Sequence, residues 1–167
     1  MPVFQDSQSA YEVVPEGDYI LCVYEFTMDF SSGKKTSGAE RYNIVFNIEG
    51  TKSKLKEVLI DHESTLWKID TFLKSAGIRS LKKGQSFHFL EDKAEELGVP
   101  WINPMGLRCW AQVIHDKYTS ERSGREVTKN KVGTFYTDRE VLKPDPELRG
   151  KPTGTADSNG EQKKTPF

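Results

Sequence analysis

Apolar and polar positions alternate with a period of two in residues 41–48 and 107–114 of this chain, and switch to a helical period in a stretch between them. From Asp18 to Met28 the run Asp-Tyr-Ile-Leu-Cys-Val-Tyr-Glu-Phe-Thr-Met is rich in β-branched and aromatic residues. It is bounded by Gly17 and by Ser31-Ser32-Gly33, and predicts a first strand. Between Arg41 and Ile48, Tyr42, Ile44, Phe46 and Ile48 share one face, and Arg41, Asn43, Val45 and Asn47 the other, as in a half-buried second strand. A shorter third strand is predicted from Lys56 to Asp61. The period then changes. Leu66, Ile69, Leu73 and Ala76 recur at spacings of three and four, with Phe72 beside Leu73, which gives a helix one apolar stripe. Ser64 or Asp61 is placed to cap its start, and Gly77 to end it in the left-handed conformation. A short second helix fits residues 91–97, closed by Gly98-Val99-Pro100. From Leu107 to Ile114 a fourth strand sets Leu107, Cys109, Ala111 and Val113 opposite Arg108, Trp110, Gln112 and Ile114. Residues 126–135 form a fifth, with a hairpin tip at 119–124.

Three strands, a helix and a closing hairpin make the chain mainly β. That order is the one an OB-fold requires: a five-stranded Greek-key barrel, with a helix between strands three and four and here a long hairpin between strands four and five. A small β-sandwich uses the same parts. The domain spans residues 17–142. Residues 1–16 read as a polar lead-in, and residues 143–167, with Pro144, Pro146, Pro152 and Pro166 among Gly, Ser, Thr and Lys, as a disordered tail.

The chain has 167 residues, enough for one core without disulfide or metal support. Two distant cysteines, Cys22 and Cys109, lie in apolar strand-like runs and read as buried thiols. No secretory or membrane-spanning run is present, so a cytoplasmic location with no membrane role is expected. The net charge is −1, from 24 basic and 25 acidic residues. That balance counts against nucleic-acid binding, but it leaves room for a basic face: residues 108–131 are enriched in Arg and Lys.

Catalytic and cofactor chemistry find no support. Gly33-Lys34-Lys35-Thr36 resembles the end of a phosphate loop, but Met28 stands where the leading Gly belongs. His62, His88 and His115 are scattered and no Cys-x-x-Cys occurs, so no metal is expected. Asp61-His62-Glu63 has no nucleophile nearby. The expectation is a protein that is not an enzyme and carries no cofactor.

Binding has more support. On an OB barrel a single strand is held by basic groups tracking phosphates and by rings stacking on bases. The face opposite the presumed core carries Arg41 and Asn43 on strand two and Arg108, Trp110 and Gln112 on strand four. Trp110 is either a stacking ring on that face or a core residue. The hairpin adds Tyr118, Arg122, Arg125, Lys129 and Lys131 as a clamp, and Lys34 and Lys35 lie in the first loop. Trp67, Phe72, Phe87 and Phe89 read as core and barrel-plug residues, and Trp101 as a staple for its own loop.

The segment Leu66-Trp67-Lys68-Ile69-Asp70-Thr71-Phe72-Leu73-Lys74-Ser75-Ala76-Gly77-Ile78 resembles a family of phage and prophage proteins. So does Gly106-Leu107-Arg108-Cys109-Trp110-Ala111-Gln112-Val113, followed by the Tyr118 hairpin and Lys129-Asn130-Lys131-Val132. The resemblance covers roughly residues 17–135 and implies an OB-fold, single-stranded DNA-binding protein of replication and recombination. Typical bacterial single-stranded DNA-binding proteins end in an acidic tail with a Pro-Phe tip that recruits partners. This chain ends in Pro166-Phe167, but Lys163-Lys164-Thr165 is basic where theirs is acidic, so the ending reads as chance. The expected partner is therefore single-stranded DNA, bound without catalysis in phage replication or recombination. The alternative is a protein-interaction module that docks replication or recombination proteins and touches no DNA. Exposed edge strands also leave room for a homo-oligomer.

Overall fold

The elements that the periodicity predicts all form in the computed structural model, which describes residues 12–145 and 147. They are β1 (Gly17–Phe30), β2 (Glu40–Ile48), β3 (Lys54–Ile60), α1 (Leu66–Ser75), α2 (Glu91–Leu97), β4 (Arg108–Thr119) and β5 (Glu126–Phe135). The lead-in up to residue 11 and the tail from residue 148, with its Pro166-Phe167 end, lie outside the described residues.

The five strands form one antiparallel sheet in the order β3-β2-β1-β4-β5. β1 is longer than its apolar core because it pairs twice. Its first part, Gly17 to Cys22, runs beside β4, and Leu21 to Phe30 runs beside β2. A bulge between Val23 and Glu25 separates most of these two pairings, and a second irregularity opposite Gln112 and Val113 leaves Gly133 as the extra residue of β5. Bulges sharpen the local twist, and the edge strands β3 and β5 approach one another. No ladder joins them. The predicted mainly β class holds, but the sheet is open rather than a closed barrel.

Side chains fill the gap that the backbone leaves. α1 packs against β3, β4 and β5. Phe72 is fully buried there, its ring 5.9 Å from that of Phe46 and 5.4 Å from that of Phe135. The Ser75 hydroxyl donates to the Trp110 carbonyl at 3.1 Å, and Lys68 reaches the nearly buried Glu57 at 3.1 Å. On the same side, the Glu12 carbonyl accepts from the Ser53 hydroxyl (2.7 Å) and from the Asn130 amide (2.9 Å). One residue of the lead-in thus ties the turn before β3 to β5. At the other end of the chain, the Asp145 N–H donates to the Gly106 carbonyl at 2.9 Å, so the backbone stays against the sheet past residue 142.

The inner face follows the alternation. Tyr42, Ile44, Phe46 and Ile48 are buried on β2, and Cys109, Ala111 and Val113 on β4. A second ring cluster joins Phe26, Tyr42, Phe87 and Phe89. Beside it, buried His88 accepts the Leu90 N–H on Nδ1 and therefore donates from Nε2 to Glu40 at 2.7 Å, as a neutral imidazole with a structural role. Burial pushes the Cys22 and Cys109 thiols up to about 12, so neither is a reactive thiolate.

Two local expectations need correction. The residue capping α1 is Thr65, and it makes no side-chain cap bond. Its hydroxyl donates to the Ile60 carbonyl at 2.8 Å instead, fastening α1 to the end of β3. Trp67 does not plug the barrel: it is 65% exposed. At 100° per residue, Ile69, Phe72, Leu73 and Ala76 cluster on one side of α1, and Trp67 projects from the opposite side. Gly77 ends the helix as expected, at φ +85°, and a Cβ there would also collide with Val141. No helix among the described residues is long and apolar enough to cross a membrane.

Candidate nucleic-acid interface

A strand whose odd residues fill a core must turn its even residues outward. With Cys109, Ala111 and Val113 buried, Arg108, Trp110 and Gln112 fall on the outer face, and the same row continues through Ile114, Asp116 and Tyr118. On β5, Asn130 and Val132 are buried, leaving Lys129 and Lys131 outward beside Asp116 and Ile114. On β2, Arg41 and Asn43 share this face. The structure therefore brings all the strand-borne candidates onto one side of one sheet, and Trp110 lies outside the core.

Three of these cations meet carboxylates. Arg41 donates to Asp29 from Nε at 2.7 Å and from Nη2 at 2.5 Å, and Asn43 adds a third donor to the same carboxylate at 3.2 Å. Arg108 forms a two-pronged pair with Glu49, both bonds at 2.7 Å, and Lys129 lies 4.0 Å from Asp116. Such pairs hold the guanidinium planes at fixed angles on the face, but a phosphate must compete with the carboxylate for them. Gln112 lies over the Cβ-less Gly133, where an added Cβ would sit 2.7 Å from its amide oxygen.

The Arg41 guanidinium holds the Asp29 carboxyl below the usual carboxylate range. A carboxyl depressed on folding contributes stability above its unfolded value, about 3.9, and that contribution is lost as pH falls through the lower folded value. Both partners are partly exposed, so the pair contributes about 0.2–1 kcal/mol. Asp29→Asn is expected to be less stable than the parent by that amount from pH 5 to 7. Below about pH 4 the gap should close, as read from urea unfolding at pH 3, 5 and 7.

Aromatic rings on this face come with cations. The Arg139 guanidinium lies 5.6 Å from the Trp110 ring and 4.2 Å from the Tyr136 ring. Asp18 anchors it, accepting from Arg139 at 2.9 Å and from the Tyr136 hydroxyl at 2.7 Å. Lys129 lies over Tyr118 at 5.2 Å, and Lys54 over Tyr24 at 4.6 Å. Tyr24, Lys54, Tyr136 and Arg139 were not legible as candidates. Tyr24 reaches its place through the bulge in β1, which no local motif marks. Arg139 meets Trp110 only because the chain doubles back along β4, the Tyr136 N–H donating to the Trp110 carbonyl at 2.9 Å.

The loop cations are placed differently. Val113 pairs with Gly17, the first residue of β1, so residues 114–119 carry the hairpin on past β1 as an arm of about 20 Å. Exposed Arg122 and Arg125 sit at its tip, whereas exposed Lys34 and Lys35 lie beyond the other end of β1. The two groups flank the face from opposite ends. No ion pair to Lys34, Lys35, Arg122, Arg125 or Lys131 is found among the described residues. Nor, among those residues, do three His, Cys, Asp or Glu side chains come together as a metal site. Trp101 fastens its loop by donating from the indole nitrogen to the Phe89 carbonyl at 3.0 Å.

No protein-family model matches this chain, and a search of curated proteins finds no match either.

Proposed function

We propose that this protein holds single-stranded DNA, without sequence preference and without catalysis, across the outer face of an OB-type barrel. The observation that carries the reading is the gathering of Arg41, Asn43, Arg108, Trp110, Tyr118, Lys129 and Lys131 on one side of a single sheet. Guanidinium and ammonium groups attract phosphates, and exposed ring faces stack on any base, which is why such binding tolerates sequence. The strand order supports the architecture: β3-β2-β1-β4-β5 is the order that an OB barrel would show if opened between β3 and β5, and OB barrels are often only partly closed. Loops at both ends of β1 would then flank the strand, Lys34 and Lys35 on one side and the hairpin arm on the other. The resemblance to phage replication and recombination proteins extends the proposal to that setting, in the host cytoplasm.

Salt dependence of oligo-dT binding, followed by tryptophan fluorescence, tests the reading and separates its parts. The five cations without carboxylate partners predict a slope of log K against log salt of about −3.5, at about −0.7 per phosphate on a single strand. If phosphates also displace Asp29, Glu49 and Asp116 from Arg41, Arg108 and Lys129, the slope approaches about −5.6. In that case Asp29→Asn and Glu49→Gln together should tighten binding several-fold, because they free two arginines. An unchanged fluorescence signal at low salt would remove the DNA proposal altogether.

A further inference from the structure

α1 has a second side that the sheet does not use. Between it and the following segment, residues 78–89, lies a groove of about 940 Å³, at the upper end of the range of about 300–1,000 Å³ typical of ligand sites. Its apolar lining includes Leu66, Trp67, Leu73, Ile78, Leu81 and Phe87. Trp67 is 65% exposed and Leu66 46% exposed, adjacent residues that water gains nothing by touching. Lys74, Arg79, Lys82 and Lys83 also line the groove. Lys74 pairs with Asp70 at 3.0 Å, and Arg79 donates to the carbonyls of Lys74 and Thr137. Lys82 and Lys83 are exposed on a turn through Gly84 (φ +79°), and no carboxylate pairs with them among the described residues. Against Asp61 and Asp70, the rim keeps a surplus of positive charge.

We infer that this groove docks an acidic, amphipathic segment of a partner protein, its apolar side chains in the Trp67 groove and its carboxylates on Lys82 and Lys83. The lining chooses between polymers. Of the rings in the lining, Tyr42 and Phe89 are buried and Trp67 is the one that is largely exposed, so a run of bases finds no succession of rings to stack on. Leu66, Leu73, Ile78 and Leu81, by contrast, match the Leu, Ile and Phe side chains with which a helix anchors in a groove. α1 is ten residues long, about 15 Å, which suits a segment of two to three turns. The groove shares no residue with the candidate outer face.

Selection of a random library of 16-residue peptides on the full-length protein tests this. Enriched peptides should carry an excess of Asp and Glu around large apolar residues spaced three and four apart. A fluorescein-labelled winner should lose tenfold or more in affinity on Lys82→Glu/Lys83→Glu, and a comparable amount on Trp67→Ala. Both changes fall on exposed side chains, and circular dichroism checks that the fold is intact. A Lys-for-Glu version of the same peptide should bind the charge-reversed protein better than the parent. The inference fails if no sequence is enriched, if winners lack acidic excess, or if the variants bind them undiminished. It also fails if oligo-dT competes for the groove, or if sedimentation shows a dimer that Trp67→Ala abolishes. Oligo-dT binding in the absence of peptide, measured on the same variants, should stay within twofold of the parent.

Discussion

Phe72→Ala is expected to lower the unfolding free energy by about 3–5 kcal/mol, the cost of deleting a fully buried ring whose surroundings relax only in part. Phe72 is the buried ring among the contacts through which α1 holds the sheet together. Its ring meets Phe46 on β2 and Phe135 on the edge strand β5, and no backbone ladder runs between β5 and β3 to share the load. The matched control is Trp67→Ala on the same helix. Trp67 points away from the sheet and should change stability by no more than about 0.5 kcal/mol. Urea unfolding of both variants measures the contrast. Equal losses would mean that α1 does not seat on the gap by the face described.

Trp110→Ala should weaken oligo-dT binding by about 1–3 kcal/mol, roughly 5- to 150-fold, if the indole stacks on a base. The effect on stability should be smaller than for Phe72, because Trp110 lies outside the buried core and only partly covered. Arg139 complicates the substitution usefully. Its guanidinium already occupies one side of the ring, held there by Asp18. A base must therefore stack on the free side or displace Arg139. Arg139→Ala separates these routes: affinity falls if the cation also meets phosphate, and rises if it merely blocks the ring. Equal oligo-dT affinity of the parent and Trp110→Ala would show that the indole does not stack and that Trp110 serves the fold alone.

Much of the fold could be read along the chain, because local periodicity and burial are the same physics. Tyr42, Ile44, Phe46 and Ile48 alternate in the sequence and are all buried. The α1 stripe was equally plain, and the helical wheel that located Ile69, Phe72 and Leu73 already set Trp67 on the opposite side. That angle, at 100° per residue from the apolar stripe, keeps Trp67 out of the core. The outward placement of Trp110 was implied by the small buried residues on either side of it, Cys109 and Ala111. Its cation was not, since Arg139 is brought to it by a turn of the chain after β5.

Strand and helix membership, and the side of each strand that avoids water, are legible along the chain. Those properties depend on neighbours two to four positions apart. Whether the sheet closes, which carboxylate meets which arginine, and where a groove opens were decided only in three dimensions. Bulges at Tyr24 and Gly133 set the curl, and α1 with Glu12 bridges what the ladder leaves open. Arg108 finds Glu49 from 59 residues away. A charge pattern along a chain cannot report such pairs, because the pairing energy depends on distance in space and is blind to distance in sequence.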